Sequence, residues 1–173
     1  TTKKHWELLP RSTIDKKNKP LQAVWAMKQK RLPGTGAISK YKARLNAHGG
    51  QQEEGVNYWD TYAPVVRWMS VRLMLILTLV EGFQSRSIDF TLAYPQADLD
   101  VDIYLELPHG FRLEGFDKKD FVLKLHKNLY GLKQAGYNWF EKLKAGMETR
   151  GFKPCHSDPC VYTKQDIVVL VYV

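Results

Sequence analysis

Two β-prone runs face each other across a glycine-bearing break. "AVWAMKQKRL" (Ala23–Leu32) leads into "PGTG" (Pro33–Gly36), and "AISKYKARLNAH" (Ala37–His48) leads away from it. A strand-like run, a turn cluster and a second strand-like run predict an antiparallel hairpin. Side chains alternate faces along a strand, so Lys40, Lys42 and Arg44 share one face. On periodicity alone such a face is a solvated strand surface. A basic platform for phosphates is the sharper reading.

Downstream, "GGQQEEGVNYWDTYAPVV" (Gly49–Val66) reads as a polar connector. "MSVRLMLILTLVEGF" (Met69–Phe83) predicts a mostly buried helix, with Ser70 available as its cap and Gly82 near its end. "SRSIDF" (Ser85–Phe90) reads as a strand ending on one carboxylate, Asp89. "DIYLEL" (Asp102–Leu107) and "DFVLKLH" (Asp120–His126) read as two more strands. "QAGYNWFEKLKAGMETRG" (Gln134–Gly151) is an amphipathic helix pattern that Gly151 suits as a C-terminal stop. "CVYTKQDIVVLVYV" (Cys160–Val173) reads as a closing hairpin, its last stretch, Val168–Val173, an unbroken apolar run expected to be a buried strand. Strands and helices mix without regular βαβ alternation. The expected class is therefore α+β, an antiparallel sheet with packed helices. Termini normally lie exposed, so a chain stopping within a buried strand is expected to be an excerpt.

Composition narrows the classes of function. Hydrophobic residues make up 44% of the 173, enough to build a core and to argue against global disorder. The formal net charge of +8 is consistent with a polyanionic partner, nucleic acid before a membrane surface. No apolar run approaches the roughly 20 residues that a bilayer span needs. "TTKKHWELLP" carries no secretory core, so an intracellular protein without a membrane partner is expected. Cys155 and Cys160 flank "HSDP", a spacing that matches no common zinc pattern; a plain loop with two thiols is the reading.

Asp89 by itself would be an aspartate starting a turn. Its surroundings say more. "SIDFTLAYPQADLDVDIYLELPHGF" (Ser87–Phe111) resembles the first catalytic block of reverse transcriptases of copia-type LTR retrotransposons, with Asp89, Ala93, Tyr94, Tyr104, Pro108, Gly110 and Phe111 in register. "KYKARLNAHGGQQEEGVNYWDTYAPVVRWMSVRLML" (Lys40–Leu75), "LYGLKQAGYNWFEKL" (Leu129–Leu143), "GFKPCHSDPCVY" (Gly151–Tyr162) and "HWELLP" (His5–Pro10) resemble other blocks of that family. The resemblance runs in order over essentially the whole chain. Tyr172 and Val173 match the start of the family's Tyr-Val-Asp-Asp turn. By that resemblance the chain stops just short of the second and third catalytic carboxylates. Departures from the family pattern are Thr91 and Leu92, Pro95-Gln96-Ala97, Asn46 within a predicted strand, and Gly136.

The resemblance implies the fingers (about residues 1–66 and 100–128) and part of the palm (about 67–99 and 129–173) of a right-hand-shaped polymerase. The implied reaction is RNA-directed DNA synthesis by two-metal nucleotidyl transfer, which needs converging oxygen ligands. Asp89 would be a catalytic carboxylate and Mg²⁺ ligand, the Phe90 backbone carbonyl an added ligand, and two Mg²⁺ ions would serve the complete enzyme. Lys40, Lys42 and Arg44 would meet the dNTP triphosphate. Tyr94 would exclude a 2′-hydroxyl, and Gly131 would let backbone approach the incoming base pair or primer–template closely. Lys133, Gln134 and Tyr172 would lie at or near the primer–template, a solvated helix start being the alternative for the first two. The implied partners are an RNA or DNA template with primer, dNTP and the rest of a polyprotein (thumb, RNase H, integrase), in a cytoplasmic element particle. Lacking the Asp pair, the chain is expected to be inactive by itself. Two rival readings stay open: a non-catalytic nucleic-acid-binding remnant, and an inert decayed transposon fragment.

Overall fold

The computed structural model describes residues 5–15, 17–112, 114–115 and 117–173. In chain order the elements are β1 (Trp6–Pro10), β2 (Ala23–Arg31), β3 (Ile38–Ala47), α1 (Trp68–Val80), α2 (Ala93–Gln96), β4 (Asp98–Glu106), β5 (Phe121–Lys127), α3 (Ala135–Thr149), β6 (Lys153–Pro154), β7 (Val161–Lys164) and β8 (Ile167–Leu170). Helices mix with antiparallel sheets, in keeping with the α+β expectation. They fall into two compact units. One holds the described residues up to Thr61 together with Tyr94–Ala135; the other holds Tyr62–Ala93 and Gly136–Val173.

The first unit is built on a three-stranded antiparallel sheet in the order β1-β5-β4. Trp6 pairs with Leu125 on one side of β5, and Ile103 pairs with Leu125 on the other. As the middle strand, β5 has both backbone edges satisfied and buries Val122, Leu123 and Leu125. Leu21 joins through a short parallel bridge: its N–H donates to the Tyr104 carbonyl at 2.8 Å and its carbonyl accepts from Glu106 N–H at 2.8 Å. The core gathers Leu21, Ala47, Ile103, Leu105, Leu123 and Leu132. Strands β2 and β3 form the expected hairpin, Ala23 opposite Ala47 through Lys30 opposite Lys40. Its turn contains Gly34 at φ +90° and Gly36 at φ +68°, left-handed positions that favour glycine.

In the second unit α3 ends as its sequence suggests. Gly151 takes φ +82°, and the N–H groups of Gly151 and Phe152 return to the carbonyls of Glu148 (2.9 Å) and Met147 (3.1 Å). Strands β6, β7 and β8 form a small antiparallel sheet. Trp139, Phe140, Cys160, Tyr162 and Val171 are buried.

Three expectations need correction. The strand predicted at Ser85–Phe90 is irregular and exposed. A strand persists only where a neighbour completes its ladder, and among the described residues no sheet takes in this segment. The helix predicted at Met69–Phe83 runs Trp68–Val80, and none of its residues is buried; Leu79 is 84% exposed. A helix apolar all round needs cover on every side, and the short strands and α3 do not enclose it. Its N-cap is Arg67 rather than Ser70, and Arg67's own side chain makes no cap bond. The apolar run Val168–Val173 does not continue as a buried strand. Strand β7 offers four partners, Val161–Lys164, so the ladder closes at Leu170, and Tyr172 is 80% exposed. Among the described residues no helix is long and apolar enough to cross a membrane.

Candidate nucleotide and nucleic-acid site

The hairpin register makes a basic surface wider than the sequence periodicity indicates. Residues directly opposite in an antiparallel pair share a face. Lys28 stands opposite Lys42, Lys30 opposite Lys40, and Arg44 opposite Ala26. Five cations thus share one face, and neither strand contains an acidic residue. Like charges directly opposite destabilise a sheet, so this arrangement favours a ligand that supplies negative charge. Lys28 and Lys30 were missed in the sequence, although the turn position that sets the register was visible there.

Arg44 lies near the C-terminal end of β3. Its guanidinium carbon sits 5.4 Å from the centre of the Tyr130 ring, a cation–π arrangement. The same ring meets that of Tyr94 at 4.9 Å between centres, with a 53° tilt. Tyr94 stands in the one-turn helix α2, which continues into β4. Buried Asn128 fastens this junction: its Nδ2 donates to the carbonyls of Ala97 (3.3 Å) and Asp98 (2.9 Å).

Gly131 follows Tyr130 at φ +91°. A Cβ built there would stand 2.2 Å from the carbonyl oxygen of Ala47. Glycine is therefore required by a close approach within the protein, to the end of β3. The neighbouring N–H of Ala47 donates to the Tyr130 carbonyl at 2.8 Å. Gln134 is buried rather than lying at a solvated helix start. Its Oε1 accepts from Gln52 Nε2 at 2.9 Å and its Nε2 donates to the Asn57 carbonyl at 3.0 Å. The alternative of a solvated helix start is corrected for Gln134 on this ground, because its amide is spent inside the fold. Lys133 is exposed; its Nζ lies 4.4 Å from the Tyr58 ring centre and donates to the Tyr58 hydroxyl at 3.0 Å.

The second unit carries Asp89, Phe90 and Tyr172. Asp89 is exposed in the irregular segment. The Phe90 ring packs edge-on against Trp139 of α3 at 5.1 Å. Just beyond, Leu92 takes φ 53°, a left-handed conformation costly for a residue with a Cβ. Among the described residues no group of three or more His, Cys, Asp or Glu side chains could hold a metal ion. Asp89 is thus a single carboxylate, and the residues present do not make a two-Mg²⁺ cage by themselves.

Asp158 is the carboxylate most thoroughly held. It is buried, and its Oδ2 accepts from the Arg67 N–H (2.9 Å) and the Ser70 hydroxyl (2.6 Å), while Oδ1 accepts from the Cys160 N–H (3.0 Å). It therefore supplies the cap that Arg67's side chain lacks, at the positive end of the α1 dipole. Burial pushes its pKa up, but the bonds from Ser70, Arg67 and Cys160 outweigh burial and hold it below the usual carboxylate range. Nearby, burial and then the charge of Asp158 push the Cys160 thiol up to about 11. Its Sγ donates to the Pro64 carbonyl at 3.3 Å, as a packed thiol does.

Comparison with known proteins bears on all of these residues. The family described as reverse transcriptase (RNA-dependent DNA polymerase) matches residues 3–173. The chain is 36% identical over 165 residues to the retrovirus-related Pol polyprotein from transposon TNT 1-94 of Nicotiana tabacum, covering 92% of this chain and 12% of that protein. It is 35% and 34% identical over 148 residues to the Pol polyproteins from transposons RE1 and RE2 of Arabidopsis thaliana, covering 83% of this chain and 10% of each. The chain thus spans about a tenth of the length of these curated relatives. No solved structure matches it.

Proposed function

Because the chain belongs to the reverse transcriptase family, and to its branch in copia-type transposon Pol polyproteins, we propose that it forms the fingers and part of the palm of a right-hand-shaped polymerase. That polymerase copies an RNA or DNA template from a primer, using dNTPs. One observation carries the reading: Arg44 and Tyr94, from separate chain segments, converge on one ring beside a hairpin face bearing five cations.

Each element of that cluster suits one part of a nucleotide. Lys28, Lys30, Lys40 and Lys42 offer ammonium charge to phosphate oxygens, and the Arg44 guanidinium offers a planar fork that can bind two oxygens together. The Tyr94 ring is a flat wall against which a deoxyribose fits and a 2′-hydroxyl collides. Gly131 serves this arrangement indirectly, by letting the Tyr130 segment close on β3. Lys133 and Tyr172, both exposed, are the residues we assign to the primer–template.

Nucleotidyl transfer in such enzymes relies on divalent metal held by several carboxylates. Asp89 is the residue we assign as one of these, with the Phe90 carbonyl beside it. The described residues supply no second or third carboxylate to that position. The isolated chain is assigned nucleic-acid and nucleotide contacts; catalysis is assigned to the complete polymerase. A non-catalytic nucleic-acid-binding role is the second reading, favoured by the five-cation face of the hairpin, which can hold nucleic acid without catalysis.

Primer extension by a complete polymerase carrying this domain tests the proposal. Tyr94→Val should keep part of the dNTP incorporation and raise rNTP incorporation relative to it. Duplex binding with no incorporation by the unaltered enzyme would favour the second reading. Unchanged sugar selectivity in the variant would remove Tyr94 from the site.

A further inference from the structure

One residue holds this cluster together. Tyr130 is half-buried, and its ring is the shared neighbour of Arg44 and Tyr94. Three constraints fix it. Its carbonyl is tied to Ala47 N–H at 2.8 Å. Gly131 beside it lies so close to the Ala47 carbonyl that no other side chain fits there. Gly49 packs against the same residue, since a Cβ on it would stand 2.0 Å from the Gly131 carbonyl oxygen. The ring is therefore carried on backbone that cannot shift without breaking the end of β3.

Two consequences follow from the chemistry of that ring. A cation–π contact holds the Arg44 guanidinium over the ring, and its N–H groups can still serve oxyanions. It also restricts a long side chain that would otherwise lose conformational entropy on meeting a phosphate. The same ring also backs Tyr94, 4.9 Å between centres. A wall discriminates against a hydroxyl only if it does not yield, and Tyr94 backed by a fixed ring is such a wall.

We infer that Tyr130 is a positioning residue that couples sugar discrimination at Tyr94 to triphosphate binding through Arg44. The inference rests on the assignment of Tyr94 and Arg44 as nucleotide contacts, and its test separates the two. Steady-state primer extension is measured on a complete polymerase carrying this domain, with dNTP and rNTP, for Tyr130→Phe, Tyr130→Leu, Tyr130→Met, Tyr94→Val and Arg44→Ala. Tyr130→Phe keeps the ring and should leave KM for dNTP and the dNTP/rNTP preference within about twofold of the unaltered enzyme, since face stacking does not need the hydroxyl. Tyr130→Leu removes the ring; it should raise KM for dNTP about three- to tenfold, the range expected for losing a cation–π contact, and lower the dNTP/rNTP preference. Affinity for primer–template duplex, shared among the five hairpin cations, should change less than KM for dNTP. Should Tyr130→Leu fail to fold, Tyr130→Met, an adaptable filler of similar volume, takes its place with the same expectation. If Tyr94→Val and Arg44→Ala shift selectivity and KM while the ring-less variant shifts neither, the inference is overturned and the underlying assignment stands. If Tyr94→Val and Arg44→Ala themselves shift nothing, that assignment fails, and the inference with it.

Discussion

The carboxylate of Asp158 accepts a hydrogen bond from the Ser70 hydroxyl at 2.6 Å, across 88 positions of sequence. With the bond from Arg67 N–H it closes the N-terminus of α1 from outside the helix. Asp158→Ala would strand a hydroxyl and two backbone donors. It is expected to destabilise the protein by about 3 kcal/mol, from unmet buried donors at roughly 1–3 kcal/mol each. The sign of the pH effect follows from the lowered pKa. A depressed folded-state value gives stability that is present above the ordinary value of 3.8 and lost as pH falls through the folded value. Urea unfolding should therefore show a wild-type advantage over Asp158→Asn that is steady near neutrality and narrows below about pH 4. A constant gap down to acid pH would contradict the capping role.

Asn46 makes the opposite kind of test. Its Oδ1 is buried and has no hydrogen-bond partner among the described residues. The position is one where this chain departs from the family pattern. Asn46→Val removes the unmet acceptor and places a β-branched side chain in a strand, a gain of about 1–2 kcal/mol. The thermal midpoint should rise by several degrees. An unchanged or lower midpoint would mean that the carbonyl has a partner in solution.

The basic hairpin face sets the salt response. Each Lys or Arg that neutralises a duplex phosphate contributes about −0.9 to the slope of log K against log salt. Titration of primer–template duplex at several salt concentrations should give a steep slope. Replacing Lys28, Lys30, Lys40, Lys42 and Arg44 together by Ala should flatten it. A slope unaffected by the five changes would move the phosphate contacts elsewhere.

How much of this was legible depended on how local the cause was. The β2–β3 hairpin was readable because its turn lies between its strands, and α3 because its apolar period and Gly151 are both local. The irregular Ser85–Phe90 segment was not, since pairing depends on a neighbour that no short window contains. The exposure of α1 was hidden for the same reason: an apolar pattern states a preference for burial, while cover comes from other segments. Of the candidate site, Arg44 and Tyr94 could be named from the family resemblance. Tyr130 and Asp158 could not, because an aromatic inside a glycine-bearing turn and an aspartate between two cysteines look ordinary until the chain brings Arg44, Tyr94 and Ser70 against them. The burial of Gln134 was not legible because Gln52, which covers it, is distant in sequence.

The proposal that Asp89 is a catalytic carboxylate of a reverse transcriptase is tested most directly by one substitution. Asp89→Asn preserves size and removes the charge; Asp89 is exposed, so the change should leave folding intact. In a complete polymerase carrying this domain, RNA-templated primer extension should fall to background, while affinity for the primer–template duplex, which depends on phosphate contacts, should stay nearly unchanged. Near-normal turnover by the Asp89→Asn enzyme would contradict the assignment and the catalytic reading of the segment that holds it.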